Sequence, residues 1–228
     1  CRMRRDEVID NARIQAGDVV VGFASDGQAN YESFWNGGTG SNGLTGARHD
    51  MFGPGWRDKY PECFDPGLPS ELVYTGPFNV TDQVEGVPVD TGKLVLSPTR
   101  TYAPVMVDLF RSGRQDLHGI VHCSGGGQTK VLHFADKSLH IVKDRLFDIP
   151  QLFRLIQQHS GTSWNEMYKV YNMGHRMEVY TTAAHATSVI AAAERHGVAA
   201  QIIGRVEERK GDSPRLTIQG PAGIEQYN

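Results

Sequence analysis

An α+β fold is the class this sequence predicts, on three observations. Short apolar runs bounded by turn residues read as strands. Amphipathic stretches with capping residues read as helices. The two kinds follow one another without a strict βαβ alternation, which favours a mixed sheet packed with helices over a doubly wound fold.

Residues 6–16 read as a polar connector, and residues 19–24 as a buried strand leading into a glycine-dense loop at 36–43. Residues 44–52 fit a helix stopped by Gly53 and Pro54. From 53 to 92 Pro and Gly recur without a sustained period, predicting a long surface insertion with one short strand near 72–74. A helix is predicted over 98–111, with Ser97 as its cap, Pro98 at its first position and Gly113 past its end. Its apolar face is Tyr102, Val105, Met106, Leu109 and Phe110. Residues 117–123 and 139–142 read as strands, and 150–159 as a helix with Leu152, Phe153, Leu155 and Ile156 inward. Ser163 and Glu166 have capping-box spacing and open a helix toward Tyr171. Residues 177–181 alternate as a strand, 185–195 form an alanine-rich helix ended by Gly197, and 200–206 and 216–218 close the chain as strands.

The 228 residues suffice for a substantial core, and 39% hydrophobic with 21% charged residues is ordinary for a globular protein. A net charge of −3 carries no electrostatic footprint for nucleic acid. No apolar stretch approaches the roughly 20 residues that span a bilayer. Three cysteines without CxxC spacing argue against a disulfide framework and fit a reducing cytoplasm.

The chemistry concentrates at His122–Gly127, where a strand runs into Ser124 and three consecutive glycines. Glycines let a ligand approach the backbone, and a helix starting after them would direct unpaired N–H groups at an anion such as phosphate. The segment matches neither the Walker A nor the Gly-x-Gly-x-x-Gly pattern, and by itself fits a ligand-free turn equally well. His118 and His122 are four apart on a strand, roughly 13 Å from each other, too far to share a metal. His122 is a candidate phosphate contact or proton carrier, Cys123 reads as packing rather than as a nucleophile, and His175 stands at a helix-to-strand junction.

Four segments in this order resemble one family: Ser41, Asn42 and Gly43 followed by Arg48; Ser97 to Arg100; the glycine loop; and Glu166 to Gly174 with its Asn172. The chain resembles the C-terminal domain of AIR synthetase, phosphoribosylformylglycinamidine cyclo-ligase, from residue 17 to residue 206. Residues 1–16 then correspond to the end of an N-terminal domain plus a connector, 17–220 to the C-terminal-like domain, and 221–228 to a tail. The resemblance implies ATP-dependent ring closure of formylglycinamidine ribonucleotide to aminoimidazole ribonucleotide in purine biosynthesis. It also implies a cytoplasmic homodimeric enzyme, ATP and Mg2+ as cofactors, and metal ligands supplied by the N-terminal domain, so that this chain alone is inactive. The ligand contacts it implies are Ser41, Asn42, Gly43, Arg48, Thr99, Arg100, His122, Ser124, Gly125, Gly126, Gly127, Asn172 and Gly174. On this reading Gly126→Val weakens substrate binding without unfolding the domain, provided the loop is not itself in a fold-critical φ > 0 conformation. Gly40 departs from the pattern, because the family places a histidine before Ser-Asn-Gly; His49 is a nearby replacement. The stretches 28–38 and after Phe52 are longer than in the common form. A non-catalytic nucleotide- or phosphate-binding module, or another ATP-dependent synthetase on the same scaffold, is the alternative function.

Overall fold

The computed structural model describes residues 2–228. Seven strands follow in chain order: β1 (Val19–Ala24), β2 (Leu117–His122), β3 (Leu139–Lys143), β4 (His175–Thr181), β5 (Ala200–Glu208), β6 (Arg215–Gly220) and β7 (Gly223–Tyr227). They form one sheet in the order β2-β4-β1-β5-β3-β6-β7. Every neighbouring pair is antiparallel except β3–β6. The helices are α1 (Leu44–Met51), α2 (Gly55–Lys59), α3 (Thr91–Leu96), α4 (Ala103–Gly113), α5 (Gln151–Ser160), α6 (Trp164–Val170) and α7 (Ala183–Glu194). The α+β class with a mixed sheet is as predicted.

Alternation along the strands divides the core in two. Val20, Val121, Ile141, Tyr180, Ile203 and Leu216 face a cluster built with Leu152, Phe153 and Ile156 of α5 and Met167 and Tyr168 of α6. Val21, Phe23, Leu117 and Val179 face the other way, onto Val105 and Leu109 of α4 and Ala186, Val189, Ala192 and Ala193 of α7. Helix α5 is bounded as its sequence predicts, with Gly161 in the left-handed conformation as its C-cap. Ser163 caps α6 by accepting from the Glu166 N–H.

Four segments differ from expectation. Helix α4 begins at Ala103, not Pro98, because residues 97–102 are tied elsewhere: Ser97 Oγ donates to Lys93 O and accepts from Gly37 N–H, and Arg100 is drawn inward. Residues 53–92 hold α2 and two short 3-10 turns, Asp90 caps α3 through Lys93 N–H, and near 72–74 Val73 and Tyr74 are buried without forming the expected strand. The segment after Gly126 winds as a 3-10 rather than an α-helix. Residues 223–227 are a strand, not a loose tail, because Ile218 and Tyr227 bury as β6 and β7 pair.

On α4, Leu109 is buried while Met106 is half-buried. Leu109→Ala should therefore cost about 2–5 kcal/mol in urea unfolding, and Met106→Ala distinctly less. Equal losses at both positions would contradict the observed orientation of the helix.

Candidate functional site

Strands β1 and β2 both run antiparallel to β4, which lies between them, so their C-terminal ends and the start of β4 meet at one end of the sheet. The loops that leave this end carry most of the residues singled out in the sequence. Cys123 N–H donates to Arg176 O at 2.6 Å and Ser124 N–H to His122 O at 2.8 Å, which ends β2 and turns the chain. Gly125, Gly126 and Gly127 then take φ of +42°, +106° and +50°, a run of positive values that favours glycine at each step. Among the described residues, the N–H groups of Gly126, Gly127 and Gln128 have no acceptor in the protein. Beside them a cleft of about 370 Å³ is lined by His122, Ser124, Gly125, Lys130 and Phe134, among others.

The predicted residues divide into those that converge here and those that do not. Asn42 converges: its Oδ1 accepts from Gly125 N–H at 2.9 Å while its Nδ2 donates to Val170 O, tying the glycine loop to α6. Ser41 N–H donates to Thr99 Oγ1 at 3.3 Å, and both residues are exposed near that turn. Gly43 has φ of +70° at the start of α1, where a side chain would meet the Tyr171 ring. Asn172 is buried, donating to Gly38 O at 2.8 Å and accepting from Gly174 N–H at 3.1 Å. Gly174, with φ of +115°, packs against Pro150 and shapes the entry to β4.

Arg100 does not face the cleft. Its donors are spent on Glu32 (2.9 and 2.7 Å) and on the carbonyls of Ala24, Asp26 and Gly27. It is a structural clamp for the 24–32 turn. Arg48 reaches Cys63 O at 3.4 Å, away from the glycines. His49 is buried against Tyr74 and accepts from its N–H at 3.3 Å, so it does not replace a side chain at position 40. His118 pairs with Asp18 at 2.8 Å rather than with His122. Gly126→Val is no clean probe of binding, since at φ of +106° any side chain strains the loop.

A buried polar network beneath the loop was not anticipated. Gln128 donates through Nε2 to the carbonyls of Asn172 and His175, and its own O and Oε1 accept from Lys143 Nζ at 2.8 and 3.0 Å. Lys143 also pairs with Glu178 at 2.5 Å, both side chains fully buried. Glu178 further accepts from Tyr180 OH at 2.7 Å and lies 3.0 Å from His175 Nε2. The signal in the sequence was a charged residue inside each of two apolar strands, where burial demands a partner.

Burial alone would raise the Glu178 pKa, but the Lys143 ammonium and the His175 contact outweigh it and hold the carboxyl well below its usual range. Burial lowers the His175 pKa despite Glu178, and pushes the Cys123 thiol up, which removes it as a nucleophile. His122 is lowered by burial and then by Arg176, so its ring is neutral near pH 7. Cys123, His175 and Glu178 are metal-ligating types with donor atoms within 4.8 Å of one another. They do not fit Mg2+, which takes hard oxygen ligands, and the Lys143 ammonium already occupies the carboxylate.

The network predicts acid lability. In the unfolded chain His175 takes a proton as pH falls through its ordinary 6.5, which the folded state resists, so stability declines from there. Glu178, depressed in the fold, contributes stability present above its ordinary 4.5 and lost as pH falls below it. Urea midpoints should be level between about pH 7 and 8 and fall in two stages as pH drops below that window. A His175→Phe variant that kept the first stage undiminished would refute the assignment.

Residues 15–217 match the family described as AIR synthase related protein, C-terminal domain. The phosphoribosylformylglycinamidine cyclo-ligase of Methanococcus vannielii is 27% identical over 206 residues, covering 90% of this chain and 49% of that protein. The protein of the same name from Methanobrevibacter smithii is 28% identical over 220 residues, covering 96% and 53%. The chain thus spans about half the length of the curated relatives it matches. A solved structure of a hydrogenase maturation protein shares the fold, with a TM-score of 0.51 at 13% identity, over 99% of this chain and 56% of that one. No helix is long and apolar enough to cross a membrane, among the described residues.

Proposed function

The chain belongs to the AIR synthase related protein C-terminal domain family, and from that membership we propose that it is the C-terminal part of a phosphoribosylformylglycinamidine cyclo-ligase. The complete enzyme, a homodimer on this reading, closes the ring of formylglycinamidine ribonucleotide to aminoimidazole ribonucleotide. ATP activates the formyl oxygen by phosphorylation, an internal nitrogen displaces the phosphate, and ADP and phosphate leave.

The observation that carries the reading for this chain is the glycine loop with its three N–H groups free of any acceptor, beside a cleft that also holds Lys130. Unpaired N–H groups in successive positions of a glycine turn are suited to a phosphate ester, and Lys130 adds charge at the neighbouring cleft. Asn42 fixes the loop against α6, and Gln128, held by Lys143, fixes its far end. Positioning of this kind, rather than bond chemistry by side chains, is what a phosphoryl-activated ring closure needs from the protein. Neutral His122 is the candidate to hold or pass a proton at the cleft. ATP and Mg2+ belong to the reading through the resemblance, and no step is assigned here to a metal.

The test is a side-by-side assay of the full-length protein and residues 1–228 for ADP and aminoimidazole ribonucleotide. Full-length protein should form both products, while residues 1–228 bind the ribonucleotide without turnover. Asn42→Ala should weaken that binding about tenfold, by removing the two hydrogen bonds through which it anchors the glycine loop to Val170. Turnover by residues 1–228 alone, or ADP formation without ring closure by the full-length protein, would replace this reading with another synthetase or a misplaced active site.

A further inference from the structure

Three cations are buried among the described residues: Arg100, Lys143 and Arg176. Arg100 has Glu32 and Lys143 has Glu178, each in direct contact. Arg176, only 2% exposed, has no carboxylate. Its Nη2 donates to the carbonyls of Gly38 (2.7 Å) and Thr39, while Nε is buried with no partner and Nη1 donates to nothing among the described residues. The groups that act on its charge are Tyr102 and Cys123, both neutral near pH 7, and a second cation, Arg100. A buried guanidinium in that setting is costly unless an anion joins it.

The surroundings say where. Gly40 has φ of +60°, and a Cβ built on it would lie 1.8 Å from Arg176 Nη1. The guanidinium therefore occupies the volume that a side chain at position 40 would fill, between the 38–40 turn and the start of β4. Its field reaches His122 at the mouth of the glycine-loop cleft. We propose that Arg176 is an oxyanion-binding residue, whose free Nε and Nη1 donors take a phosphoryl group beside the 38–40 turn. This deepens the reading of the site as a phosphate site and rests on it, but assigns the charge to Arg176 rather than to the glycine loop alone. The planar fork of donors suits a tetrahedral oxyanion better than a carbonyl or a cation.

Two sources of the group share this chemistry: inorganic phosphate released by a reaction, or the phosphate ester of a bound ribonucleotide. Calorimetry and thermal unfolding of the 228-residue chain with inorganic phosphate and with ribose 5-phosphate, against chloride at matched ionic strength, address both. The wild type should be stabilised by one or both, and whichever binds tighter identifies the source. Arg176→Met should weaken that binding by about tenfold to a hundredfold, the range for charge-assisted hydrogen bonds, and Arg176→Lys should restore part of it. An arginine that merely braced the 38–40 turn through the Gly38 and Thr39 carbonyls would lower the phosphate-free unfolding temperature of Arg176→Met and leave the phosphate-dependent shift as in the wild type, whereas the proposal requires that the shift itself shrink. Should Arg176→Met not fold, Arg176→Gln, which retains an amide donor for the Gly38 and Thr39 carbonyls, decides the same question. If Arg176→Met binds phosphate like the wild type while Asn42→Ala does not, the glycine loop stands and this proposal falls. The reverse pattern sustains Arg176 and removes the glycine loop. No phosphate-dependent stabilisation of the wild type overturns the proposal outright.

Discussion

Glu178→Gln should lower the unfolding free energy by about 3–5 kcal/mol, the largest loss expected from an isosteric change in this protein. The carboxylate is fully buried and serves Lys143, Tyr180 and His175 at once. Removing its charge leaves the Lys143 ammonium in the core with only Gln128 as a partner. Lys143 holds the backbone carbonyl of Gln128, so the damage should extend to the glycine loop and appear as weakened ribonucleotide binding. Urea unfolding of Lys143→Met, Glu178→Leu and the double variant Lys143→Met/Glu178→Leu checks the cause. The double variant should be less destabilised than the sum of its singles, since apolar residues can replace a buried pair more cheaply than either half can be left alone. Strict additivity would mean that the two charges do not support each other.

Gly127→Ala should be nearly as costly and more selective for function. Its φ is +50°, and the new Cβ would stand 2.5 Å from Tyr171 O and 2.6 Å from Tyr168 O. These are backbone atoms at the end of α6, so no side-chain rotation relieves the clash. We expect roughly 1–3 kcal/mol from the left-handed backbone and about 1–3 kcal/mol more from overpacking. Displacement of the 126–128 N–H groups should abolish ribonucleotide binding in the protein that remains folded. Gly125→Ala is the control: its φ is +42° and nothing lies within 4 Å of its Cβ position. It carries the conformational strain alone, so equal losses in the two variants would exclude the steric explanation.

Much of this was legible in the sequence, for reasons that differ by element. Helix α5 could be read because four apolar residues recur at helical spacing before Gly161. Helix α4 could be read in its body but not at its start, because local capping logic cannot know that Arg100 folds inward onto Glu32 and three carbonyls. The same five donors that suggested a phosphate contact are what make arginine a good clamp. Strand β7 was missed because Gly223–Tyr227 is largely polar and exposed, its pairing being decided by β6. At the site, the glycine run and Asn42 were visible as motifs. Gln128, Lys143, Arg176 and Glu178 were not, since a charge in an apolar strand shows a need for a partner without showing which partner the fold supplies.

The position of β1 has a consequence for how this protein comes into being. It is translated long before both of its neighbours, β4, which begins at His175, and β5, which begins at Ala200. Until those strands emerge, an apolar strand with two open edges waits for partners not yet translated, and strand β2 waits for the same β4. The slow, non-local closure of this sheet should make the nascent chain a client for chaperones. Truncations ending before Thr181 should accumulate as aggregates, with the ligand cleft absent, until the closing strand is restored.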